Sequence, residues 1–220
     1  MKDLHQRIIK FDYDQNLKYE DFFISKSNEH ILLLFNKWPK WTKNFLNISG
    51  EAFSGKTHLV DIFLKKFKGI KLESNLLNNK NLDEIKIYQN IILENVDKDI
   101  DENLIYSLFN IIDQDNKYLI VTSREPIVDL DFKLKDLKSR TKNFLLQKIE
   151  KPDDEMIYAL ILKNLSDKQI LIEKRLINYI IKRIERSYSK IYEFIYKIDE
   201  LSLKKKKSID LKIIKEVLGE

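Results

Sequence analysis

Gly50-Glu51-Ala52-Phe53-Ser54-Gly55-Lys56-Thr57 is the stretch on which the reading of this chain turns, because it fits G-x-x-x-x-G-K-[ST] in full. An apolar run, Phe45-Leu46-Asn47-Ile48, leads into it. A helical pattern follows, with Leu59, Ile62, Phe63 and Phe67 on one face. A strand, a glycine-bearing loop and a helix in that order are the context a phosphate-binding loop requires. The two glycines let the backbone curl so that successive N–H groups converge, with the positive end of the following helix behind them. This reading assigns Gly50, Glu51, Ala52, Phe53, Ser54, Gly55, Lys56, Thr57 and the adjoining His58 to nucleotide binding. Lys56 is expected to reach the β and γ phosphates, and Thr57 to offer its hydroxyl to Mg²⁺. A glycine turn before an ordinary helix is the bland alternative, but the chain has only four glycines and places two of them here.

Beyond the loop, apolar runs continue to alternate with helical patterns, which predicts a parallel sheet covered by helices. Gly69 to Leu72 reads as a second strand, Asn90 to Leu93 as a third, Tyr118 to Val121 as a fourth and Phe144 to Leu146 as a fifth. A helix is expected from Glu102 to Ile112 with Leu104, Leu108, Ile111 and Ile112 on its inner face. After Pro152 the strand signals stop, and helices are expected over 153–165, 173–184, 188–203 and 210–218. Asp153 is placed as the first N-cap of that series, and Ser208 or Asp210 as the last. The expected architecture is α/β: a nucleotide-binding domain over 15–150 with a five-stranded parallel sheet, then a small all-helical lid over 151–220, behind an N-terminal tail of residues 1–14.

With 220 residues, 34% charged and 43% hydrophobic, the chain has the composition of a folded globular protein. No apolar run is long enough for a membrane span and the N-terminus lacks the apolar core of a signal peptide, so a cytoplasmic location without membrane contact is expected. The chain has no cysteine, which excludes disulfides and thiolate metal sites, and its three scattered histidines argue against structural zinc. A net charge of +5, from 40 basic and 35 acidic residues, is too small to point to nucleic acid by itself.

A phosphate loop needs an acidic Mg²⁺ ligand at the end of a neighbouring buried strand, and Glu94 closes the run Ile91-Ile92-Leu93. At the next position motor-type ATPases usually carry a carboxylate that orients the attacking water. Here stands Asn95, which cannot act as a general base. Slow or absent hydrolysis by this subunit alone is therefore expected. Thr122 and Ser123 follow the fourth strand, where a hydroxyl can hydrogen-bond a γ-phosphate or the lytic water, or simply cap the turn Ser123-Arg124-Glu125-Pro126. Arg140 ends a helix ahead of the fifth strand, as a surface charge or as a group projecting into a neighbouring subunit's nucleotide.

Together these pieces resemble the AAA+ ATPases, and within them the DnaA family of bacterial replication initiators. Tyr19-Glu20-Asp21-Phe22-Phe23-Ile24-Ser25-Lys26-Ser27-Asn28 is similar to the family's opening motif, which implies that Phe22, Phe23 and Asn28 line an adenine pocket. Gly55-Lys56-Thr57-His58-Leu59 matches the family's loop, Thr122-Ser123-Arg124-Glu125-Pro126 resembles its sensor 1 segment, and Leu137-Lys138-Ser139-Arg140 resembles its arginine-finger motif. On this likeness Arg140 is the finger, acting in trans, and ADP or ATP with Mg²⁺ is the cofactor.

DnaA initiators carry further domains, including one that reads origin DNA. The chain resembles instead the Hda-type branch of the family, reduced to the ATPase module, and Trp38-Pro39, Trp41 and Arg183-Ile184-Glu185-Arg186-Ser187-Tyr188 resemble its alphaproteobacterial form; sequence-specific DNA binding is not expected. In that branch the tail carries a sliding-clamp-binding peptide, for which Gln6, Ile8, Ile9 and Phe11 are the candidates, with Arg7 a departure from the usual second residue. The family's lid supplies a sensor 2 arginine to the phosphates. Ser189 stands at that place, leaving Lys190 and Arg186 as the candidate substitutes. The run Lys204 to Lys207 is expected to be solvated. The resemblance implies a regulator that docks on the DNA polymerase sliding clamp and stimulates ATP hydrolysis by the DnaA initiator, and it leaves a homodimer open. The alternatives are an autonomous ATPase such as a DnaC-type helicase loader, and a non-catalytic adaptor.

Overall fold

Five strands form the sheet: β1 (Phe45–Ser49), β2 (Ile70–Glu73), β3 (Asn90–Val96), β4 (Tyr118–Ser123) and β5 (Leu145–Lys148). In the computed structural model, which describes residues 22–220, they lie in the order β2-β3-β4-β1-β5, and every neighbouring pair is parallel. Every residue of β1 is buried, as are Asn90–Glu94 of β3 and Leu119–Ser123 of β4, so these strands read as continuous apolar runs. Helices cover both faces: α1 (Glu29–Phe35), α2 (Lys56–Lys66), α3 (Asn79–Glu84), α4 (Glu102–Gln114) and α5 (Lys135–Thr141). After β5 come α6 (Asp154–Asp167), α7 (Lys174–Ile181), α8 (Tyr188–Lys205) and α9 (Leu211–Leu218).

The apolar side chains gather into three clusters. Ile91, Leu93, Leu119 and Val121 face Ile105, Leu108, Phe109 and Ile112 of α4 on one side of the sheet. Leu46, Ile48, Ile92 and Ile120 face Leu59, Val60 and Phe63 of α2 on the other. A third cluster, including Ile161, Ile177, Ile191 and Ile213, is built from α6 to α9 among themselves. At about 1.5–3 kcal/mol for each large aliphatic side chain fully buried, these clusters carry the fold. Met156 and Tyr188 from the helical bundle belong to the cluster beneath α2, so the bundle shares packing with the sheet.

The expected elements recur with local differences. The inner face of α4 is Ile105, Leu108, Phe109 and Ile112: Leu108 and Ile112 are buried as expected, Ile105 and Phe109 join them, and Leu104 and Ile111 sit half-buried at its rim. β3 and β4 each run two or more residues further than their apolar runs, because Glu94, Thr122 and Ser123 are buried strand residues despite their polarity. Asp153 and Asp210 cap α6 and α9, accepting from the backbone N–H of Met156 and Ile213. Gln6, Ile8, Ile9 and Phe11 lie outside the described residues, as does Tyr19.

Candidate nucleotide site

The carboxyl ends of β1, β3 and β4 come to one edge of the sheet, where open parallel sheets bind ligands. β1 hands over to the loop at Gly50, whose N–H donates to the Ser123 carbonyl at 3.1 Å. A Cβ at Gly50 would meet Ser54 Oγ at 2.8 Å and Ile149 Cβ at 3.1 Å, so this start needs glycine for space. Gly55 needs it for conformation, with φ 92° as the N-cap of α2. Phe53 also lies in the left-handed region, at φ 66°, where a bulky residue is strained. Lys56 Nζ donates to the Gly50 and Glu51 carbonyls at 2.8 and 2.9 Å, which curls the loop around the ammonium. Ser54 Oγ is buried in the loop without a hydrogen-bond partner, a polar group left for a ligand.

Burial holds the Lys56 ammonium below the ordinary lysine range, and the positive charge of Arg124 adds to this against the attraction of Glu94 and Glu51. Arg124 was not among the expected site residues, yet its position immediately after Ser123 puts its charge in the field of Lys56.

Glu94 is 1% exposed, and burial pushes its carboxyl up against the opposing influence of a Thr57 hydrogen bond and the Lys71 charge. Its Oε1 has no hydrogen-bond partner. A hydroxyl and a carboxylate with an unused oxygen suit Mg²⁺, which takes few protein oxygens and completes its shell from phosphates and water. Among the described residues no three His, Asp or Glu side chains gather into a metal site of their own. Thr57 and Glu94 would hold such an ion only in company with a nucleotide.

Asn95 follows in a left-handed conformation, φ 58°, where the β3–β4 register slips between Leu93 and Val96. Its amide donates to Glu73 Oε2 at 2.9 Å, and its backbone N–H donates to Thr122 Oγ1 at 3.0 Å. The hydroxyl of Thr122 is thus fixed at the strand end with its own hydrogen still available. Ser123 is engaged differently: it accepts from Asn47 Nδ2 at 2.9 Å and donates to the Glu125 carbonyl at 2.5 Å, holding the turn rather than facing the cradle.

The opening segment supplies Phe22, whose ring meets His58 at 4.9 Å and whose edge lies 3.4 Å from where a Gly55 Cβ would be. Phe23 lines a cleft of about 380 Å³ with Tyr158, Asn178 and Ile181 of the bundle. Asn28 is buried and turned inward, accepting from Ser25 N–H and donating to the Phe23 carbonyl, both at 3.0 Å, so it shapes this segment rather than facing the cleft.

Sequence reasoning missed the joint between loop and bundle. The Glu51 carboxylate accepts from the Tyr188 N–H at 3.0 Å, from the Ser189 N–H at 3.1 Å and from the Ser187 hydroxyl, capping α8 from outside the helix. Phe53 stacks on Tyr192 at 4.9 Å, and Tyr188 Oη pairs with Ser27 Oγ at 3.2 Å. Burial pushes the Glu51 carboxyl up, but the bonds from Ser187, Ser189 and Tyr188 outweigh it and hold the group below its usual value. Of the expected sensor 2 substitutes, Arg186 pairs with Asp154 and Lys190 with Glu193, both in solvent-exposed ion pairs. The signal in the sequence was Glu51 itself, an acidic residue inside a loop meant for anions.

Arg140 lies elsewhere. It sits in the last turn of α5, ahead of the amino end of β5, with Nη1 2.6 Å from Asp113 Oδ2 and its guanidinium 5.2 Å from the Tyr106 ring. That is the opposite edge of the sheet from the loop, so Arg140 cannot serve the nucleotide of its own chain.

No protein-family profile matches the sequence. The chain is similar to DnaA initiators at low identity: 23% over 235 residues with that of Buchnera aphidicola, covering 95% of this chain and 54% of that protein. It spans about half the length of the curated initiators it matches. The fold is that of the AAA+ domain III of DnaA, superposing on the Thermotoga maritima domain with a TM-score of 0.70 at 19% identity, over 94% of this chain and 97% of that one. Aquifex aeolicus DnaA bound to AMPPCP matches with a TM-score of 0.65 at 20% identity, over 85% of this chain and 68% of that one. Among the described residues no helix is long and apolar enough to cross a membrane.

Proposed function

We propose that this chain is a nucleotide-holding regulator of replication initiation of the Hda type. One observation carries the reading: a complete phosphate loop stands beside a buried carboxylate, Glu94, while the next position is Asn95, bonded to Glu73 and unable to activate water. Such a site holds a nucleotide without turning it over. Gly50 to Thr57 would cradle the phosphates of ADP or ATP, and Phe22, Phe23 and the cleft beside Tyr158 and Ile181 would take the base. A bound Mg²⁺ would neutralise phosphate charge between Thr57 and Glu94.

The chemistry would lie in Arg140, which a partner with its own ATP can reach because it stands away from the cradle. A guanidinium placed on a neighbour's phosphates stabilises charge in the transition state, and trans-acting arginines of this kind raise turnover by roughly 10³–10⁵. The tail residues Gln6, Ile8, Ile9 and Phe11 would dock on the sliding clamp, bringing the chain to the DnaA initiator. The test mixes the chain with DNA-loaded clamp and ATP-loaded initiator from one organism and follows phosphate release. Stimulation that disappears with Arg140→Ala, while ADP binding persists, supports the reading. Turnover by the chain alone would favour an autonomous ATPase, and stimulation unchanged by Arg140→Ala would overturn the finger.

A further inference from the structure

The cation nearest to Glu94, apart from anything a nucleotide brings, is a lysine from the neighbouring strand. Lys71 Nζ lies 3.5 Å from Glu94 Oε2 and 2.6 Å from Asp61 Oδ1. The placement follows from the backbone. β2 and β3 pair with Lys71 opposite Ile92 and Glu73 opposite Glu94, so Lys71 and Glu94 project from the same face as diagonal neighbours. On α2, Asp61 follows Thr57 by one turn, and its carboxylate grips the lysine from above. The ammonium is thereby drawn toward the buried carboxylate that would otherwise receive Mg²⁺. The Asp61 bond fixes it there, since a lysine with one partner 3.5 Å away would be free to swing into water.

We propose that Lys71 is a resident counter-cation of the Glu94 carboxylate, so that the cradle takes a nucleoside diphosphate without needing a divalent metal ion. This inference rests on the nucleotide-holding reading. A buried carboxylate at the edge of a phosphate site repels the phosphates unless a positive charge stands beside it, a part that Mg²⁺ fills in most such sites. Here Lys71, which Glu94 shares with Asp61, supplies that charge from within the chain against the like charges of Asp61 and Glu73. The arrangement suits a protein that keeps its nucleotide, because retention then does not follow the free metal concentration. It also suits the absence of an activating carboxylate at Asn95: a site that does not hydrolyse has less use for a metal that assists hydrolysis.

The test titrates a fluorescent ADP into the whole chain in excess Mg²⁺ and in EDTA. The wild type is expected to bind with affinities within about threefold of each other, because Lys71 already neutralises Glu94. Lys71→Met, which keeps the apolar stem, should bind normally in Mg²⁺ and about tenfold or more weakly in EDTA, where Glu94 is left unpaired. The double variant Lys71→Met with Glu94→Gln removes both charges and should recover metal-free binding, separating lost neutralisation from lost fold. Wild-type binding that collapses in EDTA overturns the role of Lys71 and leaves the nucleotide reading standing. A double variant as weak in EDTA as the single one also overturns it. Failure of the wild type to bind ADP in either buffer overturns the nucleotide reading and this inference with it.

Discussion

Replacing Glu51 by alanine removes three hydrogen bonds at once and tests whether the loop holds the helical bundle in place. The Tyr188 and Ser189 N–H groups in the first turn of α8 have no intrahelical acceptor, and Glu51 is their partner. Loss of an N-terminal cap costs about 0.5–2 kcal/mol, and hydrogen bonds to a charged group are each worth about 1.5–3 kcal/mol before water replaces them. Ser187 and Ser189 are half-buried, so water can reach part of the joint, while Tyr188 is buried. A net cost near 2 kcal/mol follows, and at 1.4 kcal/mol per factor of ten the opening of the joint becomes about thirtyfold more frequent. Hydrogen exchange reads this directly at the amides of Tyr188 and Ser189. Both should lose protection by that factor in Glu51→Ala, while amides in the centre of β1 and β4 keep theirs. Unchanged exchange at Tyr188 and Ser189 would show that the carboxylate does not cap α8.

The same joint gives a pH dependence whose sign is fixed. Glu51 has its folded-state value lowered from the usual 4.5, so it binds its proton less readily folded than unfolded. Its contribution is fully present above the usual glutamate range and fades as the pH falls through the lower folded value. Protection at Tyr188 and Ser189 should therefore drop on acidification below pH ~4, after the intrinsic exchange rate is corrected for pH, and Glu51→Ala should lack that drop.

Two further substitutions probe the cradle. Lys56→Ala removes the ammonium expected on the phosphates and should weaken ADP binding about a hundredfold, at roughly 3 kcal/mol for the charge-assisted bonds, as read by equilibrium titration; affinity within a factor of about three would refute the phosphate role of the loop. Gly50→Ala forces a Cβ to 3.1 Å from the branched Cβ of Ile149, which cannot rotate away, and to 2.8 Å from Ser54 Oγ, which can. The cost of about 1–3 kcal/mol should lower the melting temperature by roughly 3–9 °C, and an unchanged melting curve would contradict the close packing at the loop start.

The central strands were legible because they are buried on both sides and read as near-unbroken apolar runs, as in Ile91-Ile92-Leu93 and Leu119-Ile120-Val121. Their polar ends were not. Glu94, Thr122 and Ser123 continue their strands because parallel pairing and burial override their polarity, and only the fold supplies those. On α4, Leu108 and Ile112 were legible as core, whereas Leu104 and Ile111 fall at the rim, because apolar residues fill adjacent positions and more than one helical stripe fits. The loop was legible in full, since its spacing encodes a backbone geometry. The contact from Glu51 to α8 was not, because it joins residues more than 130 positions apart and Glu51 fills a position that the loop motif leaves open. Lys71 was hidden in the same way, as one lysine among the many basic residues of the chain until strand register set it beside Glu94.

The placement of the charges supports the proposed role of holding a nucleotide over that of turning one over. Hydrolysis in such a fold calls for a water-activating acid beside the metal carboxylate and a cation free to follow the γ-phosphate. Here the first position is Asn95, tied to Glu73, and the α8 turn that could present the second is bonded to Glu51, with Arg186 and Lys190 paired to Asp154 and Glu193. Lys56, Glu51 and Asn95 are bonded to the chain itself, so these parts of the cradle are shaped before any ligand arrives. Pre-organisation of this kind favours holding, because little ordering cost attends binding. Arg140, at the opposite end of the sheet strands, is held by a partly exposed pair with Asp113 and by the Tyr106 ring; solvent screens that pair as it does those of Arg186 and Lys190. What sets Arg140 apart is its place away from the cradle, where in the proposed role a partner's nucleotide would meet it.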